Sequence, residues 1–207
     1  MGRTRATYDR VAEAYADRFV DELDGKPIDR ALLGLVAEDV AARGGGRVAD
    51  LGAGPGQIGA YLRERGAEVV ALDLSPAMAG IARKRLGLPA TAGDLTALPF
   101  ASDSLSGATA FYTLIHLEDR SVTAATKEIA RVLRPGGVVL VAVHIGDQVV
   151  HLDEWLGAQV DVDFRFFTTD DLVGHLVAAG LQVESVTERA PGPGEAETHR
   201  AYVLARR

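Results

Sequence analysis

The sequence predicts an α/β fold, in which helices cover both faces of an open, mostly parallel sheet. From Arg47 onward, short runs of apolar residues alternate with segments of helical pattern. The runs are apolar on both of their faces, as in strands that are buried between two helical layers. Strands are predicted at 47–51, 68–73, 89–93, 107–112 and 137–143. Helices are predicted at 57–65, 76–86 and 122–133, with Pro76 well placed in a first helical turn.

Three further segments surround this core of residues 47–143. Residues 1–46 form an N-terminal helical cap, with helices predicted over 7–20 and 28–42. Residues 144–168 interrupt the strand–helix rhythm with an alternating run that is typical of a half-exposed strand or hairpin, and we interpret them as a lid-like insertion. Residues 169–207 follow with a helix over 170–179 and an antiparallel pair of strands at 181–189 and 200–206. The expectation is one domain spanning 1–207.

Composition excludes several classes of protein. The 207 residues contain no cysteine, which rules out disulfides, thiolate nucleophiles and cysteine-bound metals. A net charge of −7 argues against a nucleic-acid partner, because affinity for nucleic acid comes largely from phosphate neutralisation. No apolar stretch is as long as a membrane span, and no signal peptide opens the chain, so a cytoplasmic location and no membrane association are expected. The chain is expected to be a monomer or a homodimer.

Three aspartates mark the predicted ligand site. Asp50, Asp73 and Asp94 each follow an apolar run, and they recur about every twenty residues. At the carboxyl ends of neighbouring parallel strands, such residues lie at the edge of the sheet where ligands bind. A rim of carboxylates repels phosphate and favours a ligand with an ammonium group, a sulfonium and ribose hydroxyls. S-adenosylmethionine has this set of groups.

The glycine loop between the first predicted strand and helix supports the same ligand. Gly52, Gly54 and Gly56 permit positive φ angles and close approach of the backbone to a ligand. A nicotinamide dinucleotide is the alternative, since Gly54–Gly59 matches the G-x-G-x-x-G pattern. However, Asp50 and Gly52 precede that pattern, and a carboxylate beside a pyrophosphate is unfavourable.

These segments resemble the class I S-adenosylmethionine-dependent methyltransferases, particularly the compact enzymes that act on small molecules. The resemblance covers roughly residues 8–207 and is carried by four segments in the family's order: 48–56, 70–78, 93–100 and 133–137. It implies a Rossmann-like seven-stranded, mostly parallel sheet whose last strand is antiparallel. The fourth strand departs from the family pattern, because Ser106–Thr109 lacks an Asp often found near its start.

Each cofactor group is assigned to residues of this chain. Asp73 is expected to accept the ribose hydroxyls and Asp94 the adenine amino group, while Asp50 and the three glycines face the methionine end. The remaining cofactor-binding candidates are apolar or aromatic residues: Leu74, Met78 and Leu95 beside the adenine, Tyr8 and Tyr15 over the methionine end, and Phe111 at the end of the fourth strand. Ordinary packing is the alternative for the three apolar residues and the two tyrosines.

The acceptor is predicted to be a small molecule that is methylated on O or N. His144 or His116 is predicted to orient or deprotonate it, because each follows a predicted strand near the expected methyl group. The substrate-binding candidates are Tyr112, His151, Trp155 and Arg165, with Arg165 available to pair an acidic group. His144, Asp147, His151 and Asp153 lie close together in sequence but match no ligand signature, so no metal is predicted. A non-enzymatic cofactor-binding protein of this fold remains an alternative, and an NAD(P)-dependent oxidoreductase a less favoured one.

Overall fold

The computed structural model describes residues 2–207, and a seven-stranded sheet organises them. The order of its strands is β3-β2-β1-β4-β5-β9-β8. Its strands are β1 (Arg47–Leu51), β2 (Glu68–Asp73), β3 (Ala90–Ala92), β4 (Leu105–Phe111), β5 (Leu133–His144), β8 (Gln182–Arg189) and β9 (Arg200–Arg206). Neighbours pair in parallel from β3 to β5, whereas β9 runs antiparallel to both β5 and β8. The predicted sheet, with an antiparallel last strand, is confirmed.

Helices cover both faces of the sheet. They are α1 (Gly2–Phe19), α2 (Pro27–Ala42), α3 (Gln57–Glu64), α4 (Pro76–Leu86), α5 (Asp119–Val132) and α6 (Thr169–Ala178). Fully buried side chains such as Leu33 and Leu62 pack on one face, and Ile129 and Leu172 on the other. None of the helices within residues 2–207 is long and apolar enough to cross a membrane.

Local sequence explains where α4 begins and ends. Ser75 caps α4 by accepting a hydrogen bond from Met78 N–H at 3.1 Å, and Pro76 occupies the first turn. Gly87 ends the helix in the left-handed conformation at φ 62°. These residues position the β2–α4 turn, which begins at Asp73.

The insertion after β5 is a separate two-stranded hairpin, β6 (Val149–Trp155) and β7 (Ala158–Arg165). It lies against α1, where Val11 packs on Val160 and Val162. Arg3 donates to Asp161 at 2.7 Å, on the polar side of the same contact. The hairpin and α1 therefore form one layer beside the carboxyl ends of the central strands.

Several helices and strands begin or end at residues other than the predicted ones. The helix predicted at 122–133 begins three residues earlier, at Asp119. The strand predicted at 137–143 begins at Leu133, because Leu133 already pairs with Leu105, ahead of an irregularity at Pro135–Gly137 where Gly136 has φ 80°. The fourth strand ends at Phe111 rather than at Tyr112, whose φ of 52° lies in the left-handed region. This change of direction turns the chain across the end of β1.

Candidate cofactor cleft

A cleft opens at the carboxyl ends of β1, β2 and β4 and beside the loop after β3. It encloses about 880 Å³ of empty space, a figure that includes the solvent at its open mouth. It is lined by Thr4, Tyr8, Tyr15, Glu22, Gly52, Ala53, Gly54, Gln57, Ile58, Leu72, Asp73, Leu74, Asp94, Leu95, Phe111, Tyr112, Thr113, His116 and Leu117. Nine of the twelve predicted cofactor-binding residues are among them, as are two of the predicted acceptor-side residues, Tyr112 and His116.

Asp73 lies at the centre of the cleft. Its two carboxylate oxygens accept hydrogen bonds from Gly54 N–H and Ser75 N–H, both at 2.8 Å, which fixes the side chain at the end of β2. Burial raises the pKa of Asp73 to about 6, although these two hydrogen bonds act in the opposite direction. A ligand that donates to this carboxylate would stabilise its charged form.

The glycine loop passes close to the end of β4. Gly52 has φ 73°, and a Cβ placed on it would lie 2.1 Å from Thr113 Oγ1. Only glycine fits this position, because both the backbone angle and the space exclude a larger residue. The loop thereby leaves its backbone exposed to the cleft.

Asp94 forms the far end of the cleft, after β3. Its Oδ1 accepts hydrogen bonds from both the N–H and the hydroxyl of Thr96, each at 2.8 Å. Leu74 and Leu95, which directly follow Asp73 and Asp94 in the chain, also line the cleft. The result is a slot with apolar walls and an acceptor at its end, which fits a flat heterocycle that carries an amino group.

Three predicted cofactor residues lie outside the cleft lining. Asp50 is 1% exposed, and its oxygens accept from Gly59 N–H at 2.9 Å and from the hydroxyl of Thr109 at 3.1 Å. Burial raises the pKa of Asp50 to about 7. Gly56 faces Leu88 of the core, and Met78 packs against α1. In this structure Asp50 holds α3 against β1 and does not form part of the acidic rim.

Tyr8 and Tyr15 of α1 cover the cleft, and Trp155 of the hairpin packs edge-on against both. The centroid of the Trp155 ring lies 5.7 Å from that of the Tyr8 ring and 5.5 Å from that of the Tyr15 ring. Trp155 therefore supports the two tyrosines from behind, and it does not line the cleft.

His116 connects the cleft, α1 and the hairpin. Its Nδ1 lies 2.9 Å from the carbonyl oxygen of Asp163, and its Nε2 lies 2.7 Å from the hydroxyl of Tyr8. A carbonyl oxygen only accepts, so Nδ1 carries the proton and Nε2 accepts from Tyr8. Burial lowers the pKa of His116 to about 4, which keeps the ring neutral at pH 7.

His144 does not line the cleft. Its Nδ1 is 2.8 Å from the hydroxyl of Thr198, and its ring stacks on that of Tyr112 at 4.8 Å between centroids. Burial lowers the pKa of His144 to about 4 as well. Tyr112 separates this histidine from the cleft and is held from behind by a hydrogen bond to Tyr202 at 3.1 Å between hydroxyl oxygens.

The other two hairpin residues also lie outside the cleft. His151 is exposed and contacts Asp163 Oδ1 at 2.8 Å. Arg165 donates through Nε to the carbonyl oxygen of Leu117 at 3.3 Å and lines a second cavity beside His116. Among residues 2–207 no group of three potential metal ligands occurs, and the absence of a metal remains a prediction.

Sequence reasoning missed eight lining residues, namely Thr4, Glu22, Ala53, Gln57, Ile58, Leu72, Thr113 and Leu117. Gln57 and Ile58 directly follow the glycine loop, and Thr113 and Leu117 follow β4, so their positions relative to the strands were available in the sequence. Glu22 lies in a 3₁₀ turn over Glu22–Gly25, between the first two helices, and no motif marks it.

The known proteins that this chain resembles are methyltransferases, as the geometry of the cleft suggests. A family described as a methyltransferase domain matches residues 48–137. A demethylmenaquinone methyltransferase of Streptomyces avermitilis is 33% identical over 148 residues, which cover 67% of this chain and 63% of that enzyme. The chain thus spans less than two thirds of that relative's length.

Two solved structures show the same fold over nearly the whole chain. The DhpI–SAH complex has a TM-score of 0.72 and 24% identity, covering 99% of this chain and 95% of that one. The Burkholderia thailandensis 1,6-didemethyltoxoflavin-N1-methyltransferase, bound to 1,6-didemethyltoxoflavin and S-adenosylhomocysteine, has a TM-score of 0.63 and 24% identity, covering 97% and 89%. The fold is that of the class I S-adenosylmethionine-dependent methyltransferases. The predicted resemblance to S-adenosylmethionine-dependent methyltransferases is confirmed for the segment that the family model matches, residues 48–137.

Proposed function

We propose that this protein transfers a methyl group from S-adenosylmethionine to an oxygen or nitrogen of a small molecule. The observation that supports the proposal is the cleft itself, which is lined by Asp73 and Asp94 at one edge of the sheet together with Leu74 and Leu95. The carboxylates suit ribose hydroxyls and an exocyclic amine, and the apolar walls suit adenine.

The residues present fit this cofactor. Gly52 and Gly54 expose loop backbone beside Asp73, and a Cβ on Gly52 would fill the space between the loop and Thr113. These residues, with Asp94, would hold the ribose, methionine and adenine portions. When bound, the cofactor supplies a methyl group that is already activated by its sulfonium, so the protein mainly has to align the acceptor and exclude water.

Tyr8 and Tyr15 cover the cleft, and Trp155 packs edge-on against both of them. Together these three rings exclude water from the covered part of the cleft. Of the two candidate histidines, we assign the role at the acceptor to His116, because it lines the cleft and His144 does not. Its Nε2 is unprotonated at pH 7 and, once the acceptor has displaced the hydroxyl of Tyr8, can take the proton that an O–H or N–H acceptor loses. The carbonyl of Asp163 keeps the other nitrogen protonated, which fixes this tautomer.

Calorimetric titration with S-adenosylhomocysteine tests the cofactor assignment. We expect the wild-type protein to bind, and Asp73→Asn to weaken binding by about tenfold or more, since two charge-assisted hydrogen bonds to ribose are weakened. Asp153→Asn is the matched control, because Asp153 is exposed on the hairpin. Absence of binding, or equal affinity of both variants, contradicts the assignment.

The acceptor is tested by turnover with labelled S-adenosylmethionine and a panel of small molecules. Demethylmenaquinone belongs in the panel because a relative at 33% identity is named for its methylation. Methylation of this compound is the second candidate function. Heterocyclic N–H compounds belong there because a protein of this fold is named for such an acceptor. Tight cofactor binding without turnover of any acceptor would favour a non-enzymatic role.

A further inference from the structure

Gln57 and Glu22 meet at the end of the cleft next to β1. Gln57 follows the glycine loop as the first residue of α3, is 8% exposed and lines the cleft. Its Nε2 donates a hydrogen bond to Glu22 Oε1 at 2.8 Å. Its Oε1 is buried and has no hydrogen-bond partner among residues 2–207.

The orientation of the Gln57 amide follows from its neighbour. A carboxylate only accepts hydrogen bonds, so the amide nitrogen must face Glu22 and the oxygen must face away. A buried acceptor without a donor costs free energy, and such atoms are uncommon in folded proteins. Gln57 Oε1 can therefore accept a hydrogen bond from a ligand, since no donor among residues 2–207 occupies it.

Glu22 adds a carboxylate beside the Gln57 amide. Glu22 Oε2 is 2.5 Å from Lys26 Nζ, whereas Glu195, 3.8 Å from Lys26, is paired more closely with Arg189. Lys26 does not line the cleft, whereas Glu22 and Gln57 do. Glu22 and Gln57 thus present a carboxylate and an amide oxygen to the cleft. These two acceptors suit an ammonium group, which has three N–H donors.

The position of the pair along the cleft indicates which group it receives. The strand order β3-β2-β1 puts Asp94, Asp73 and the glycine loop in a row, with Gln57 directly after the loop. A nucleoside with its base at Asp94 and its ribose at Asp73 extends its remaining portion toward Gln57. We propose that Gln57 Oε1 and Glu22 bind the α-ammonium group of the amino-acid portion of the cofactor, an inference that rests on the proposed function.

The test compares S-adenosylhomocysteine with its analogue that lacks the α-amino group, by calorimetry and without any turnover. We expect wild-type protein to bind the amino compound about tenfold or more tightly than the desamino compound. In Gln57→Leu and in Glu22→Gln this ratio is expected to fall at least about threefold, because the first variant removes one acceptor and the second removes the negative charge of the other. Gln182→Leu, on the exposed strand β8, serves as control and should keep the wild-type ratio.

Two failures are distinguishable. If the wild-type protein binds neither compound, the proposed function fails, and this inference fails with it. If the compounds bind but both variants keep the wild-type ratio, the inference alone is overturned. Should Gln57→Leu not fold, as judged by its thermal unfolding, the ratio measured for Glu22→Gln decides the outcome.

Discussion

Replacing Asp50 with asparagine should change how stability depends on pH. Burial raises the pKa of this carboxyl from 3.8 to about 7, so the folded protein holds its proton at pH values where the unfolded chain has lost it. Because the folded state binds this proton more tightly than the unfolded chain does, protonation of Asp50 stabilises the fold at low pH. This stabilisation is lost as the pH rises through about 7. The asparagine amide can accept from Gly59 N–H and donate to Thr109, and it carries no charge to desolvate.

The magnitude follows from the pKa shift, at about 1.4 kcal/mol for each pH unit between the two pKa values. Between pH 5 and pH 8, the free energy of unfolding of Asp50→Asn should rise relative to wild type by about 3 kcal/mol. Urea unfolding at both pH values measures this difference, and comparing the two proteins cancels the other titrating groups. A difference that does not change with pH would refute the idea that Asp50 is a desolvated carboxyl behind the cleft.

Three further predictions concern the cleft. Affinity for S-adenosylhomocysteine should fall as the pH drops through about 6, where Asp73 gains a proton, and calorimetry on Asp73→Asn should show a flatter profile. Gly52→Ala should lower the free energy of unfolding by about 2 kcal/mol more than Gly44→Ala, since both positions have positive φ but only Gly52 lacks space for a Cβ; equal losses in urea unfolding would contradict this. Tyr8→Phe removes a hydrogen bond that favours neutral His116, so NMR titration should find its imidazole pKa above the wild-type value of about 4, and an unchanged value would argue against this contact.

Much of the fold was predictable because the core strands and helices carry strong local signals. The strands at 47–51 and 68–73 and the helix at 76–86 match the structure residue for residue. Each is bounded by a glycine turn, an aspartate or a capping serine with proline, which act locally. The start of β5 was not predictable in this way, because pairing with its neighbours overrides the turn residues Pro135–Gly137.

The site was less predictable, since sequence position does not fix where a side chain points. Asp50 and Asp73 both lie at the carboxyl end of a strand, yet Asp73 reaches the cleft whereas Asp50 turns back toward α3. His116 follows β4 and His144 ends β5, but Tyr112 separates His144 from the cleft. Glu22 comes to the site from a distant turn, and such contacts depend on how whole segments pack.

The hydrogen bond between Tyr8 and His116 has a consequence for the order of events during a reaction cycle. While the phenol occupies the imidazole lone pair, that lone pair is unavailable to an incoming molecule. Under the proposed function, an acceptor that uses Nε2 as its base must first displace this phenol, so Tyr8 has to move before the proton is transferred. The imidazole nitrogen thus stays covered until the acceptor has entered the cleft.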